Sequence, residues 1–226
     1  MAKIETVLLP YVGTVRLVIQ SKRDIRSHEH YGSMDAESNE WFYWNHVWAS
    51  EVALSEFLIQ EFYPDALKHK KILELGCGTG LAGIVCGKLG GVPTFSDKVP
   101  MVMDSICEAC RLNGISSFHA CILDWADSRN VHDQYDIVLG SEIFYDRAFL
   151  DDICALLEQV LSPDGTGFFC DPDRLGLEAV ESCFSPRFEV TVKDLEVAWP
   201  RTPSSTMKRK TVLLYQLVKK PSFHRA

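Results

Sequence analysis

Apolar and polar positions alternate along residues 5–20, where Pro10 and Gly13 lie between two runs rich in Val, Leu and Ile. Alternation with period two places successive side chains on opposite faces of a strand, so this stretch predicts an N-terminal β-hairpin. The next stretch, 21–40, is mostly charged and polar, which predicts a flexible loop. Together these elements form a predicted N-terminal region over residues 1–40.

A helix is predicted from Asn45 to Phe62, because its apolar residues recur at near-helical spacing. Strand-like and helix-like runs then alternate along the chain. The predicted strands are 72–75, 92–96, 118–123, 135–139, 166–170, 188–197 and 210–218. The predicted helices are 81–89, 99–112, 148–161 and 175–184. The sequence Ser-Pro-Asp-Gly at 162–165 is expected to end the helix before it.

This order of elements predicts an α/β fold with a Rossmann-like, doubly wound, seven-stranded sheet covered by helices on both faces. Parallel strands require a crossover, whereas antiparallel neighbours can be joined directly. The last two strands have no helix between them, so they are expected to pair as a hairpin. The sheet should therefore be mostly parallel with one antiparallel strand. No repeat or linker divides residues 41–220, which are predicted to form a single domain.

The first of these strands continues into a glycine-rich turn, and together they read Leu-Glu-Leu-Gly-Cys-Gly-Thr-Gly over residues 73–80. Glycines let the backbone approach a ligand, and the free amides at the start of a helix face it, so a nucleotide-type ligand is expected. A dinucleotide fingerprint has the spacing G-x-G-x-x-G. Here Gly76, Gly78 and Gly80 are spaced G-x-G-x-G. That spacing agrees better with the loop that binds S-adenosylmethionine (AdoMet) in Rossmann-like methyltransferases; a glycine turn without a ligand is the alternative.

Two residues at the ends of the next strands fit such a ligand. Asp97 could accept hydrogen bonds from both hydroxyls of a ribose, or it could be the N-cap of the following helix, and both roles are compatible. Trp125 could cover one face of an adenine, or it could simply fill the core.

The fourth strand of the series ends in Ser141-Glu142, and Tyr145 follows. Ligands of a doubly wound sheet gather at the carboxyl ends of its strands, so Glu142 and Tyr145 are expected to project near the site. The alternative is that Glu142 caps a turn and Tyr145 packs against Phe144. A further polar cluster, Asp-Pro-Asp-Arg at 171–174, lies near the same edge and is expected to serve as a loop and helix cap.

Together these motifs resemble the seven-β-strand methyltransferases of family 16, a group that includes many protein-lysine methyltransferases. The segments that carry the resemblance are 45–50, 72–81, 96–97, 124–125 and 139–145. The resemblance implies a class I methyltransferase domain over 41–220 that uses AdoMet. It implies a cofactor site formed by Trp48, Glu74, Gly76, Cys77, Gly78, Gly80, Asp97, Trp125 and Ser141.

Glu142 and Tyr145 are the catalytic residues that the resemblance implies. Many lysine-modifying members carry Asp where this chain has Glu142, so the carboxylate is kept on a longer side chain. No Asn-Pro-Pro-Tyr follows the fourth strand, which disfavours methylation of adenine or of glutamine side chains. The implied reaction is methyl transfer to a protein side-chain nitrogen, with lysine as the acceptor. Arginine, histidine or a small amine as acceptor, and an inactive AdoMet-binding scaffold, are the alternatives.

The net charge of −8 over 226 residues argues against a broad nucleic-acid-binding face and is compatible with a basic protein substrate. The N-terminus lacks the apolar segment of a signal peptide, and no run approaches the roughly 18 apolar residues of a membrane span. A location in the cytoplasm or nucleus is therefore expected, and a monomer is expected for a closed α/β domain. The eight cysteines are expected to be free thiols; Cys107 and Cys110 form one C-x-x-C without a second pair, so no metal site is predicted.

Overall fold

A computed structural model of the chain describes residues 2–27, 43–127, 131–199 and 208–221. The strands in these ranges are β1 (Lys3–Leu9), β2 (Gly13–Ile19), β3 (Lys71–Leu75), β4 (Val92–Asp97), β5 (His119–Ile122), β6 (Tyr135–Ser141), β7 (Leu161–Asp171), β8 (Phe188–Trp199) and β9 (Lys208–Lys219). The α-helices are α1 (Lys22–Ser27), α2 (Ala49–Phe62), α3 (Leu81–Lys88), α4 (Pro100–Leu112), α5 (Arg147–Val160) and α6 (Leu177–Phe184). A short 3-10 helix, Trp125–Asp127, follows β5.

The N-terminal hairpin is confirmed, because β1 and β2 pair along their whole length in antiparallel register. Val15 and Leu17 are fully buried on its inner face. The hairpin packs on α4, where the Asn113 side chain accepts from the Arg16 N–H and donates to the Arg16 carbonyl oxygen. The hairpin therefore shares its core with the main sheet and its helices.

The main sheet has the strand order β5-β4-β3-β6-β7-β9-β8. All neighbouring pairs are parallel except those of β9, which runs antiparallel to both β7 and β8. The predicted fold, a seven-stranded and mostly parallel sheet with one antiparallel strand, is confirmed. The strand order reverses between β3 and β6, so the carboxyl ends of these two strands flank the crevice in which this topology binds ligands.

Helices cover both faces of the sheet, as the alternation of side chains along β3 shows. Ile72 belongs to the core shared with α2, α3 and α4, whereas Leu73 and Leu75 belong to the core shared with α5 and α6. The side chain of Glu74 is directed to the same face as Ile72, since residues two apart share a face of a strand. The carboxyl group of Glu74 is therefore buried beneath α3.

The predicted loop at 21–40 is wrong over Lys22–Ser27, which form α1 around the buried side chain of Ile25. Residues 28–40 lie outside the described residues, as does the whole loop between β8 and β9. Helix α2 begins at Ala49 rather than at Asn45, because Trp48 has extended backbone angles and is the N-cap.

Helix α5 ends before residues 162–165, as predicted, but strand β7 begins at Leu161, directly after the helix, rather than at Thr166. Tyr135 pairs with Leu161 and Ile137 with Thr166, so these four residues bulge out between two paired positions.

The cysteines are free, as predicted. Cys110 is buried on α4, but Cys107 on the same helix is exposed. Cys121 is also exposed, because it lies on the edge strand β5. Among the helices that the structure describes, none is both long and apolar enough to span a membrane.

Candidate active site

The glycine turn lies at the carboxyl end of β3, at the reversal of strand order. Gly76, Gly78 and Gly80 have φ angles of 57°, 50° and 74°. A Cβ at Gly78 would lie 2.8 Å from the carbonyl oxygen of Trp44, and a Cβ at Gly76 would lie 3.1 Å from the Trp125 indole. Glycine at these two positions therefore lets the Trp44 backbone and the Trp125 indole approach the turn closely.

Gly80 differs from the other two glycines, because a Cβ on this residue would point into the hydrophobic core. A Cβ there would lie 2.3 Å from the Ile106 side chain and 3.2 Å from Phe95. This glycine allows α3 to pack closely against α4 and β4. The prediction that Gly80 contacts a cofactor stays a prediction.

Asp97 fixes the glycine turn from the neighbouring strand. One carboxylate oxygen accepts the Gly78 N–H at 3.1 Å, and the other accepts the Val99 N–H at 3.0 Å. The N-cap of α4 is Val99, so Asp97 stabilises the turn before the helix rather than the helix end itself. Burial raises the pKa of Asp97, and the two amides and the nearby Lys98 oppose that shift.

Glu51, on α2, also fixes the glycine turn. The sequence analysis did not identify this residue. Its Oε1 accepts from the Thr79 hydroxyl at 2.7 Å and from the Leu81 N–H at 2.9 Å. The side chain is only 3% exposed, and burial raises its pKa to about 7. The signal in the sequence was an acid directly before the apolar run Val52–Leu54 of a predicted helix.

Glu74 supports the first turn of α3. Its Oε2 accepts the Gly83 N–H at 3.0 Å, and the residue is 2% exposed. Burial, and then the charge of Glu51, raise the pKa of Glu74 well above its usual value. The prediction that it contacts a cofactor stays a prediction, because the structure engages this carboxylate with the protein's own backbone.

Acidic groups thus surround the turn. The described hydrogen bonds to Glu51, Glu74 and Asp97 come from backbone amides and one hydroxyl, and not from lysine or arginine. Burial raises the pKa of all three carboxyl groups. A cation bound beside the turn, such as a sulfonium, would favour their ionised forms and would be stabilised by them in return.

Residues 44–51 cover the glycine turn, since the Trp44 carbonyl lies against Gly78 and Glu51 contacts Thr79. This covering segment carries two buried polar groups that have no hydrogen-bond partner among the described residues, the Trp44 indole N–H and the Ser50 hydroxyl. Trp48, in the same segment, is half-buried and donates its indole N–H to the Tyr43 carbonyl oxygen at 2.9 Å. Since buried polar groups are normally satisfied, the two orphans fit a polar ligand beside the turn.

The remaining predicted cofactor residues lie at the same edge of the sheet. The Cys77 N–H donates to the Ser96 carbonyl oxygen at 2.9 Å, which ties the turn to β4. Ser141 ends β6 and is half-buried. Trp125 is also half-buried and packs edge-on against Phe149, with ring centroids 5.8 Å apart.

Glu142 lies next to this edge in a strained conformation. Its φ angle is 56°, in the left-handed region that non-glycine residues rarely adopt. Its backbone N–H donates to the Cys170 carbonyl oxygen at 2.8 Å, which fixes the position of the side chain beyond β6. Strain of this kind is concentrated at functional sites.

Tyr145 is 46% exposed and packs edge-on against Phe149, with ring centroids 5.5 Å apart. It does not pack against Phe144, which is buried and stacks on Phe169 in the core. Tyr145, Phe149 and Trp125 therefore form an aromatic rim at the carboxyl ends of β5 and β6.

Arg174, in the loop after β7, forms an ion pair with Glu142 that the sequence did not predict. Its Nη2 donates to Glu142 Oε2, and its Nη1 lies 3.8 Å from Asp171 Oδ2. The Arg174 N–H donates to the other Asp171 oxygen at 3.0 Å, so the cluster also stabilises its own loop, as expected. Burial raises the pKa of Asp171 to about 6, although Arg174 opposes the shift.

A separate cleft of about 410 Å³ lies between the hairpin turn and the C-terminal ends of α2, α3 and α4. These helix ends lie at the amino edge of the parallel strands, opposite the glycine turn. The cleft is therefore not part of the candidate site.

We expect Glu51→Gln to abolish part of the pH dependence of stability. Because the pKa of Glu51 is about 7 in the folded protein and 4.5 when unperturbed, the folded state binds more protons between these values. The free energy of unfolding therefore falls as the pH rises through this window, by roughly 3 kcal/mol. Glutamine stays uncharged and still accepts from Thr79 and Leu81. Urea unfolding at both ends of the window measures the difference.

Glu74 shifts in the same direction and is present in both proteins, and the charge of Glu51 contributes to its raised pKa. The difference between variant and wild type therefore reports Glu51 together with its coupling to Glu74. Equal pH slopes for the two proteins would contradict the assignment of a buried, partly protonated carboxyl at this position.

Residues 37–199 match the profile of a family described as lysine methyltransferase. The chain is 31% identical over 119 residues to histone-arginine methyltransferase METTL23 of Rattus norvegicus, a match that covers 50% of this chain and 52% of the relative. It is 32% identical over 123 residues to protein N-lysine methyltransferase METTL21A of Danio rerio, covering 52% of this chain and 56% of the relative. The chain thus spans about half the length of the curated relatives that it matches.

A solved structure shares the fold. Precorrin-6y C5,15-methyltransferase from Geobacter metallireducens GS-15 superimposes with a TM-score of 0.60, over 75% of this chain and 87% of that one. The sequence identity is 13%, so this likeness bears on the fold alone.

Proposed function

Because the chain belongs to the lysine methyltransferase family, as its motifs indicated, we propose that it transfers a methyl group from AdoMet to a lysine side chain of a protein. The observation that carries the proposal is the adjacency of β3 and β6. Their pairing brings the glycine turn, with its buried carboxylates, next to Glu142. A site for a cationic methyl donor and an acidic group for an acceptor amine thus meet at one edge of the sheet.

The residues of the glycine turn fit AdoMet. Gly76 and Gly78 would let the backbone approach the ligand, and Asp97 would accept hydrogen bonds from the ribose hydroxyls. Trp125 would flank the adenine. The bound donor supplies a methyl group already activated on a positively charged sulfur, so the protein needs no covalent nucleophile.

The acceptor amine must lose its proton before it attacks. Burial in the aromatic rim favours the neutral amine, because desolvation disfavours a cation. Glu142 would orient the amine through its second oxygen, and Tyr145 would flank it. Burial, and then Asp97, Asp146 and Asp124, raise the pKa of Tyr145, so its hydroxyl stays neutral and available for hydrogen bonding.

The ion pair at Glu142 favours lysine over arginine as the acceptor. A substrate guanidinium is usually recognised by bidentate contact with a carboxylate. Arg174 already supplies a guanidinium to Glu142 and lies beside Asp171. The space left beside Glu142 is better suited to the compact ammonium or amine of a lysine.

We expect the full chain to transfer label from methyl-tritiated AdoMet into proteins of a cell lysate, and the acid hydrolysate to contain methyl-lysine. In Glu142→Gln the rate should fall roughly 10- to 150-fold, since a hydrogen bond to a charged group contributes about 1.5–3 kcal/mol. AdoMet affinity, measured by calorimetry, should change less than twofold.

Glu108→Gln is the matched control, because Glu108 also pairs with an arginine, Arg111, but on the exposed face of α4. This variant should transfer label like the wild type. Label in methyl-arginine would replace lysine with arginine as the acceptor. AdoMet binding without any transfer would instead favour an inactive scaffold.

A further inference from the structure

The guanidinium of Arg174 lies on the solvent side of the Glu142 carboxylate, the group proposed to orient the acceptor amine. The Glu142 side chain is 9% exposed, whereas the Arg174 side chain is 36% exposed. The Arg174 side chain also reaches the Glu142 carbonyl oxygen, with Nη1 at 3.5 Å. One arginine therefore contacts both the carboxylate and the backbone of a residue that has a left-handed φ angle.

Several titratable groups face Glu142 and Arg174, and nearly all of them are acidic. Glu51 approaches from α2, Cys170 and Asp171 from β7, and Asp173 from the loop that carries Arg174. Burial raises the pKa of Cys170, so its thiol stays neutral. The buried Tyr215 hydroxyl on β9 has no hydrogen-bond partner among the described residues. Burial, and then Asp173 and Asp171, raise its pKa. Arg174 is the cation of this group among the described residues.

The sign of this charge matters for methyl transfer. An unpaired carboxylate beside a lysine stabilises its ammonium form, which has no lone pair and cannot attack. A guanidinium bound to the same carboxylate offsets this stabilisation of the ammonium form, because two positive charges close together repel each other. The carboxylate can then orient the amine by a hydrogen bond without holding a proton on it.

We propose that Arg174 is a positioning residue for the methyl transfer described above: it holds the Glu142 carboxylate in place and cancels its charge, so that the bound amine is deprotonated near neutral pH. The inference rests on the proposed function and assigns the Asp-Pro-Asp-Arg loop a part in the reaction.

The test measures the initial rate of labelled methyl transfer from saturating AdoMet into a fixed amount of cell lysate, as a function of pH. In Arg174→Met, which keeps the length of the side chain without its charge, the rate near neutral pH should fall about tenfold, equivalent to about 1.4 kcal/mol. The acidic limb of the profile should move about one pH unit towards alkaline pH, as expected for the loss of one nearby charge. The deficit should therefore shrink as the pH rises.

Two comparisons separate charge from structure. Arg174→Lys retains a cation and should keep the acidic limb at its wild-type position. In Arg174→Ala, millimolar guanidinium chloride should restore part of the rate, whereas the same concentration of sodium chloride should not.

Unchanged rate and pH profile in Arg174→Met would overturn the inference. So would a loss that is equal at every pH and parallels a fall in thermal stability, since that result indicates a structural role only. If the wild type transfers no label at all, the proposed function itself fails, and this outcome is distinct from an effect of Arg174.

Discussion

Gly78→Ala is expected to weaken AdoMet binding more than a hundredfold. The new Cβ would lie 2.8 Å from the Trp44 carbonyl oxygen, a backbone atom that cannot rotate away. The φ angle of 50° adds strain of about 1–2 kcal/mol for any residue with a Cβ. The turn must then separate from the covering segment, and the Gly78 N–H must leave Asp97. Isothermal titration with AdoMet measures the loss.

Gly114→Ala is the matched control for this substitution. Gly114 also has a positive φ angle, 72°, but its Cβ would meet no atom within 4 Å, and it lies beyond the end of α4. Both variants place a Cβ on a residue with a positive φ angle. Only Gly78→Ala adds a clash with a backbone atom, and only Gly78 lies in the candidate site. We expect Gly114→Ala to lose about 1 kcal/mol of stability and to bind AdoMet like the wild type. Equal affinities in both variants would contradict the role of the glycine turn.

The glycine turn was predictable because its signals are local. A strand, three closely spaced glycines and a helix follow one another within residues 71–88, and Asp97 ends the next strand. Contacts between neighbouring parallel strands follow once this order is known. Chain order alone therefore placed the turn and Asp97 at one edge.

Glu51 and Arg174 were not identified because their partners are distant in the sequence. Glu51 reaches Thr79 only after α2 packs over the start of α3. Arg174 meets Glu142 only because β6 pairs with β7, which places Ser141 opposite Cys170. The parallel pairing was predicted, so closeness of these loops could have been inferred, but the direction of two long side chains could not.

The position of the antiparallel strand shows a similar limit. A closing hairpin was predicted, yet its order in the sheet was not. The structure inserts β9 between β7 and β8. The composition of the two strands explains the choice: β9 buries Leu214, Tyr215 and Leu217, whereas most of β8 is exposed or half-buried. Charged residues suit an edge strand, because they discourage pairing with another chain.

Asp97→Ala is expected to weaken AdoMet binding at least a hundredfold. The carboxylate accepts the Gly78 and Val99 N–H groups, and by the proposed function it also accepts the ribose hydroxyls. Losing two hydrogen bonds to a charged group costs roughly 3–6 kcal/mol. Asp97→Asn should lose nearly as much, because an amide has one acceptor oxygen and its NH₂ would face a backbone N–H.

The control is Asp136→Ala, because Asp136 also accepts a backbone amide of the sheet. It accepts the Lys71 N–H at 2.8 Å and pairs with Lys70, at the amino end of β3. Its removal should lower stability by about 1 kcal/mol and leave AdoMet affinity unchanged. Each carboxylate thus accepts a backbone amide that adjoins β3, Lys71 at its amino end and Gly78 after its carboxyl end. If Asp97→Asn binds AdoMet with wild-type affinity, the charge of Asp97 is not needed for binding. That result would contradict the proposal that both carboxylate oxygens of Asp97 accept hydrogen bonds when AdoMet is bound.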